Sequence, residues 1–493
     1  MRRVIAIVVV AIVGTFAFAQ SAPIDESPPD LGTLPSEVGG ATGDPSAWYC
    51  PWVAAGALRD STFGIASMLD VNALITLPNP NPAEEAAVDE IRLLGPGARS
   101  IDTGEIARRG MSPGTVEFDD GPAVATTAMW SDEILTGDRC VVSVPKEWQL
   151  VGGVTAEGFT LELQLFNPFA EPAKVTIEAI TEFGRSPLSG FESFDVAGRS
   201  WVTEDLSRLI PFLDIITLTV RSESGIVIPA FVLNNGTDEA SWPGIGQSST
   251  WDFPVTSLPG LDPTLVISNT GSVGATVAID LFTQDGPLLD ADGRIVSPLE
   301  PLRINLADLG EPPFAVRVRS NAPIGAVVQA APEGTFPKVD VVLPEDPGAS
   351  GDDGDGTTTS TTVGEDASAG TTADGEAIEP LVYDGVAAMP GNVEPLERWL
   401  VPGLGVVPGA DTLIWVLNPS GEDATVSIKP LGVSARKTEE IVVPAGTYRE
   451  VSVAPISETG NSGMLVEADV PISVAVSIAG PQGVAFIGGV GIG

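Results

Sequence analysis

Four stretches of the chain read alike, and no other feature restricts its fold as tightly: ITLPNPNPAEEAAVDEIRLLG (75–95), LQLFNPFAEPAKVTIEAITEFG (163–184), LVISNTGSVGATVAIDLFTQDG (265–286) and LIWVLNPSGEDATVSIKPLG (413–432). Each is an apolar strand ending in Asn79, Asn167, Asn269 or Asn418, then a polar turn, then an alternating strand closed by Gly. Asn tolerates left-handed backbone and Pro fixes its own φ, so the Asn-Pro pair found in three of the four stops a strand and starts a turn. A second landmark follows in each unit, at 119–129, 222–233, 320–331 and 468–480, where a Gly or Pro turn precedes an alternating apolar strand, as in a hairpin. Trp is the third landmark. Trp148, Trp251 and Trp399 lie 19, 18 and 19 residues before their Asn, and Trp52 lies 27 before Asn79, a gap that an eight-residue insertion around 60–72 accounts for. An indole that recurs in register with a strand reads as the core plug of its unit.

Short strands at this spacing, with no helical periodicity of useful length, predict an all-β chain of tandem immunoglobulin-like β-sandwiches. Gly 55 and Pro 43 suit such a turn-rich chain. The units are expected at 46–145, 146–240, 241–344 and 381–493. Residues 20–45 and 345–380 (EDPGASGDDGDGTTTSTTVGEDASAGTTADGEAIEP) are too poor in apolar side chains to fold and read as disordered acidic linkers. Unit four is therefore expected to swing on a tether from a block of three.

The opening MRRVIAIVVVAIVGTFAFAQSA has an Arg pair, an apolar run over 4–19 and the small-x-small Ala17-Phe18-Ala19, the pattern of an export signal cut after Ala19 or kept as an N-terminal anchor. An extracytoplasmic body follows from either, with membrane contact only through residues 4–19 if the signal is kept. Export to an oxidising space predicts that the only two cysteines, Cys50 and Cys140, form a structural disulfide that ties the first strand of unit one to its last.

Histidine is absent, which excludes Ser–His and Cys–His couples and imidazole metal ligands. A net charge of −42 repels phosphate backbones and excludes nucleic acid as a partner. Ser434-Ala435-Arg436-Lys437 matches S-x-x-K but lacks the partner motifs of that chemistry. The acidic DADGR at 290–294 lacks the Gly and Glu positions of a calcium loop, so Asp292-Gly293 reads as a hairpin turn. No cofactor or metal site and no catalytic residue is nominated. Trp48, Trp130, Trp201, Trp242 and Trp415 fall outside the Trp–Asn register and are the candidates for stacking on sugars.

The export signal, the early Trp48-Tyr49-Cys50-Pro51 and the L-x-N-P strand ends resemble a family of exported actinobacterial proteins of unknown function, over most of the chain after residue 45. Asn269-Thr270 departs from the N-P form. The resemblance implies compartment and architecture and carries no mechanism. The expectation is a non-catalytic scaffold or interaction protein of the cell envelope, with an envelope protein as partner. The alternatives are a wall-polysaccharide binder using exposed Trp and an acidic secreted hydrolase.

Overall fold

Alternation of buried and exposed side chains marks strands such as Val71–Leu77, Ala173–Thr181 and Ala424–Pro430, while others, such as Asp60–Ser67 and Ile228–Asn234, are buried along nearly their whole length. The computed structural model describes residues 37–38, 46–55, 59–81, 83–107, 110–337, 382–402, 407–432, 437–454 and 463–492. The expected signal, nearly all of 20–45, the segment 345–380 and Ser434 lie outside them. Helix is confined, among the described residues, to the single turns Thr103–Ile106, Leu206–Leu209 and Leu306–Asp308. No helix among them is long and apolar enough to cross a membrane.

The strands form several discrete sheets that face each other in four β-sandwich-like bodies. In the second body, Glu147–Gly153, Ile216–Ser224, Ala173–Thr181 and Gly184–Pro187 make one sheet, and Ser200–Asp205, Thr160–Asn167, Ile228–Asn234 and Glu239–Pro243 make the other. The first body pairs Ser46–Cys50, Gly114–Phe118, Val71–Leu77 and Ala87–Leu93 against Gly97–Asp102, Asp60–Ser67, Ala123–Trp130 and Leu135–Arg139. In the third and fourth bodies one 17-residue strand, Ala315–Ala331 or Met464–Gly480, runs through both sheets. Its first half pairs with the Trp strand and its second with the Asn strand.

This crossing corrects the hairpins expected at 119–129, 222–233, 320–331 and 468–480. The arms of a hairpin bond each other. Here the strand before the Gly or Pro and the strand after it bond different partners, because the chain passes from one sheet to the other. Asp292-Gly293 is likewise no hairpin turn: it lies within the strand Gly286–Val296, at an irregularity opposite Ile279–Leu281.

Trp148, Trp251 and Trp399 are buried opposite Val220, Val318 and Val466. In the first body that place belongs to Trp48, opposite Val116, and not to Trp52. The indole N–H groups of Trp48, Trp251 and Trp399 donate to the carbonyls of Ala123, Ile324 and Ile472 at 3.0, 3.0 and 2.9 Å. Those carbonyls sit where the chain crosses between sheets, so the indole fills the core and anchors the crossing. Trp148 is equally buried but its N–H has no partner among the described residues.

Asn167, Asn269 and Asn418 end their strands and make the same three bonds. Oδ1 accepts from the N–H two residues on, at Phe169, Gly271 and Ser420, each 3.0 Å. Nδ2 donates to the carbonyl four residues on, at Glu171, Val273 and Glu422, and to Val196, Val296 and Val443 on a strand of the facing sheet. The equivalent in the first body is Ser67, 19 residues after Trp48, whose Oγ accepts from the N–H of Leu69 at 3.1 Å. Asn79 follows the next strand, so the expected insertion around 60–72 does not exist. An Asn-Pro turn serves either strand end equally well, which is why Asn79 imitates the others.

Cys50 and Cys140 are bridged, with Cα atoms 4.5 Å apart, and the bond joins the two sheets of the first body. The loop it closes, 90 residues, corresponds to about 4–5 kcal/mol of chain entropy.

The last strands of the four bodies, Leu135–Arg139, Glu239–Pro243, Ala387–Pro390 and Gly483–Gly488, pack on one another in cyclic order, so the bodies close into a ring. One carboxylate sits at the foot of all four. Asp238 Oδ1 accepts from the N–H of Leu135 (2.9 Å) and Glu239 (2.8 Å), and Oδ2 from Val386 (3.2 Å) and Val484 (3.1 Å). Each body thus contributes one N–H at or beside the start of this strand. Gly385 and Gly483 occupy the equivalent of position 238 in their bodies, and a Cβ on either would lie 2.5 or 2.3 Å from Oδ2. Burial pushes the Asp238 carboxyl up to about 7 against the pull of those four donors. One layer further in, buried Ser241 donates to Asp138 at 2.7 Å and its N–H to Thr136 Oγ1 at 3.0 Å.

Neighbouring bodies are also tied at their sides. Asp252, fully buried, takes both arms of Arg317 at 2.6 and 2.8 Å and the hydroxyl of Ser473 from the fourth body. Arg139 Nη1 donates to Gly489 O at 3.1 Å, joining the first body to the fourth. The expected swinging fourth unit is therefore corrected. Ala387–Pro390 completes a sheet of the third body by pairing with Val327–Ala330, and the apolar cores run across the boundaries. Glu37–Val38, within the stretch expected to lack structure, pairs in parallel with Gly491–Ile492.

Candidate functional site

The alternation of SAWYC turns Trp48 and Cys50 into the core of the first body and leaves Tyr49 outside it. Tyr49 then forms a wall of a groove of about 650 Å³ between the first and second bodies. Phe166, Pro168 and Phe169 stand opposite, from the end of the Asn167 strand, and the Tyr49 and Phe169 rings lie 5.7 Å apart at 52°. Thr76 and Thr115, paired with one another across the sheet, form the floor, and Asn79, Glu84, Glu85 and Glu117 the rim. Arg199 is the one cation lining the groove among the described residues.

Local structure fixes this geometry. The Asn167 side chain holds the loop that presents Pro168 and Phe169. The facing loop grips it, with Arg199 at φ 53° donating its N–H to Phe169 O at 2.7 Å. Gly198 lets the two loops touch, since a Cβ there would lie 2.0 Å from Ala170 O. Asn79 closes the other side, with Nδ2 on Glu84 at 3.0 Å and Oδ1 accepting from Asn81 N.

A second hollow of about 550 Å³ continues along the same sheet face, lined by Ala47, Asn72, Leu74, Glu90, Glu117 and Asp119 among others. Glu117 borders both. It stands between Ala47 and Leu74 in the pairing and is exposed. Burial, followed by the charge of Glu117, pushes the Tyr49 phenol up. The N–H and amide donors of Asn72 hold the Asp119 carboxyl below its ordinary value.

The five Trp nominated for stacking do not meet on a surface. Trp48, Trp242 and Trp415 are at most 1% exposed and belong to cores, so stacking by these three is ruled out by burial. Trp242 donates to Val151 O and Trp415 to Ser477. Trp130 and Trp201 are half-buried against the cores of the fourth and second bodies. Trp52 lies at the junction of the first two bodies, where its N–H and Arg59 both reach Glu239, at 3.0 and 2.9 Å. No group of three or more His, Cys, Asp or Glu among the described residues is placed to hold a metal ion. The groove residues Tyr49, Glu117, Phe166 and Phe169 carried no sequence signal of their own. Tyr49 sat in the early aromatic cluster, and Phe169 two residues beyond Asn167.

A family of unknown function, DUF5719, matches residues 123–240, from the crossing strand of the first body to the start of the last strand of the second. The Phe166–Phe169 wall and Asp238 fall within that stretch, while Tyr49, Glu117 and the early Cys-Pro do not. No curated protein matches the chain. Among solved structures, a Thermotoga maritima protein described as Thermotoga maritima 1070 aligns over 18% of this chain and 83% of its own, at 26% identity and a TM-score of 0.16. An overlay that poor carries no argument about fold or function.

Proposed function

We propose that the protein is a non-catalytic, extracytoplasmic scaffold or interaction protein of the cell envelope, built from four copies of one immunoglobulin-like sandwich blueprint. The observation that carries this reading is the way the buried polar groups are used. Asp238, Asp252, Asn167, Asn269 and Asn418 bond backbone or a neighbouring body and hold the assembly together. What remains on the surface is a preformed groove at a junction, and a rigid groove loses little entropy on binding. Export rests on the N-terminal sequence pattern. The Trp to Asn or Ser spacing of 18 or 19 residues in the four bodies supports duplication. Pull-down from envelope fractions with the mature chain is the test: recovery of the same protein partner in repeated experiments is expected, and a repeated blank overturns the reading. The sugar-binding alternative loses Trp48, Trp242 and Trp415 to the cores and keeps only Trp130 and Trp201.

A further inference from the structure

Among the grooves, buried charges and open strand edges of the molecule, the Tyr49–Phe169 groove has the most to say about an occupant. Two residues along a strand are about 6–7 Å apart. Tyr49 and Ala47 therefore face the two hollows at the spacing of alternate side chains in an extended peptide. The first hollow offers the rings of Tyr49 and Phe169. The second is lined by Glu90, Glu117 and Asp119 and, among the described residues, by no cation. Glu117, at the boundary, has no hydrogen-bond or ion-pair partner among the described residues.

We propose that this face docks a basic, extended segment of a protein partner, with an apolar side chain laid against the Tyr49–Phe169 ring pair and, two residues away, a Lys or Arg on Glu117. The proposal rests on the interaction-protein reading above. Charge complementarity selects the occupant. A second copy of this chain would bring a net charge of −42 to an already acidic face. A neutral glycan would leave the Glu117 charge uncompensated, and a nucleic acid would be repelled.

The test is fluorescence anisotropy with the full mature chain and two labelled peptides, a Leu-Ser-Arg-Ser repeat and its Glu-for-Arg counterpart. The Arg peptide is expected to saturate, with affinity at least fivefold lower for Glu117→Gln and for Phe169→Ala. The exposed and remote Glu440→Gln is expected to change nothing, and the Glu peptide is expected not to bind. Glu117→Gln keeps the fold, because that side chain is exposed on one sheet face. Equal losses in Glu117→Gln and Glu440→Gln would reduce the binding to general charge attraction and overturn the proposal. So would a missing saturable signal, or wall glycan fragments that compete for the groove. If Glu117→Gln and Phe169→Ala still capture the envelope partner, the docking face falls while the interaction reading stands.

Discussion

Replacing Gly483 by Ala attacks the ring at its centre. The new Cβ would lie 2.3 to 2.6 Å from three atoms of the Asp238 carboxylate, and the position has φ +143°. The carboxylate must leave its seat, and the first bonds lost are those from Val386 and Val484 to Oδ2. A buried N–H without a partner costs about 1–3 kcal/mol, and the backbone strain adds roughly 1–3 kcal/mol. The single substitution should therefore destabilise by about 3–9 kcal/mol. With Asp238→Ala in place the clash has no target, and Gly483→Ala should then cost only the strain. A double-mutant cycle by chemical denaturation, followed by Trp fluorescence with the disulfide intact, should give a coupling of about 2–6 kcal/mol. Gly385→Ala, whose Cβ would lie 2.5 Å from Oδ2, should behave alike. Additivity within roughly 0.5 kcal/mol would refute the idea that one carboxylate clasps the four last strands.

Asp238 also sets a pH dependence. Its carboxyl is raised to about 7 in the fold, so its stabilisation is complete below the unfolded value and is lost as pH rises through about 7. The advantage of the parent over Asp238→Ala should be larger at pH 5 than at pH 8 by roughly 2–3 kcal/mol, and an advantage that grows toward pH 8 would contradict this. Asp252→Ala leaves the Arg317 guanidinium without its carboxylate and should cost about 3–5 kcal/mol, read as a lowered denaturation midpoint. Trp48→Ala should cost about 3–5 kcal/mol, while Trp52→Phe, which loses one bond to Glu239, should cost about 1 kcal/mol; the reverse order would make Trp52 rather than Trp48 the plug of the first body. Cys50→Ser with Cys140→Ser should lower stability by at most about 4–5 kcal/mol, measured against the oxidised parent.

Local chemistry was legible where a residue type carries its own mechanism. The Asn167, Asn269 and Asn418 clasps follow from turn chemistry, and the Cys50–Cys140 bond from the expectation of export and the pair count. The first body was aligned one strand late because Ser67 does the work of an Asn there and an Asn-Pro turn happens to follow the next strand. The sheet crossings were hidden because a Gly or Pro between two alternating strands looks the same whether the strands pair or part. Closure of the ring left one faint trace: Gly385 and Gly483 stand at the foot of two last strands, the mark of a close approach, while Asp238 in NNGTDEASWP looks like an ordinary turn residue. Ring closure is a sum of contacts far apart in sequence, and no local pattern encodes it. The groove inherits the same blindness, since Tyr49 and Phe169 meet only when two bodies do.

The most direct test of the closed ring is to introduce a specific protease site between residues 345 and 380, cut the native protein and follow the pieces. The fragment beginning before Ala387 should stay bound through its pairing with Val327–Ala330 and through Asp238 and Asp252, co-eluting at the uncut size and unfolding in one transition with the rest. Separation of the two fragments under native conditions would contradict it.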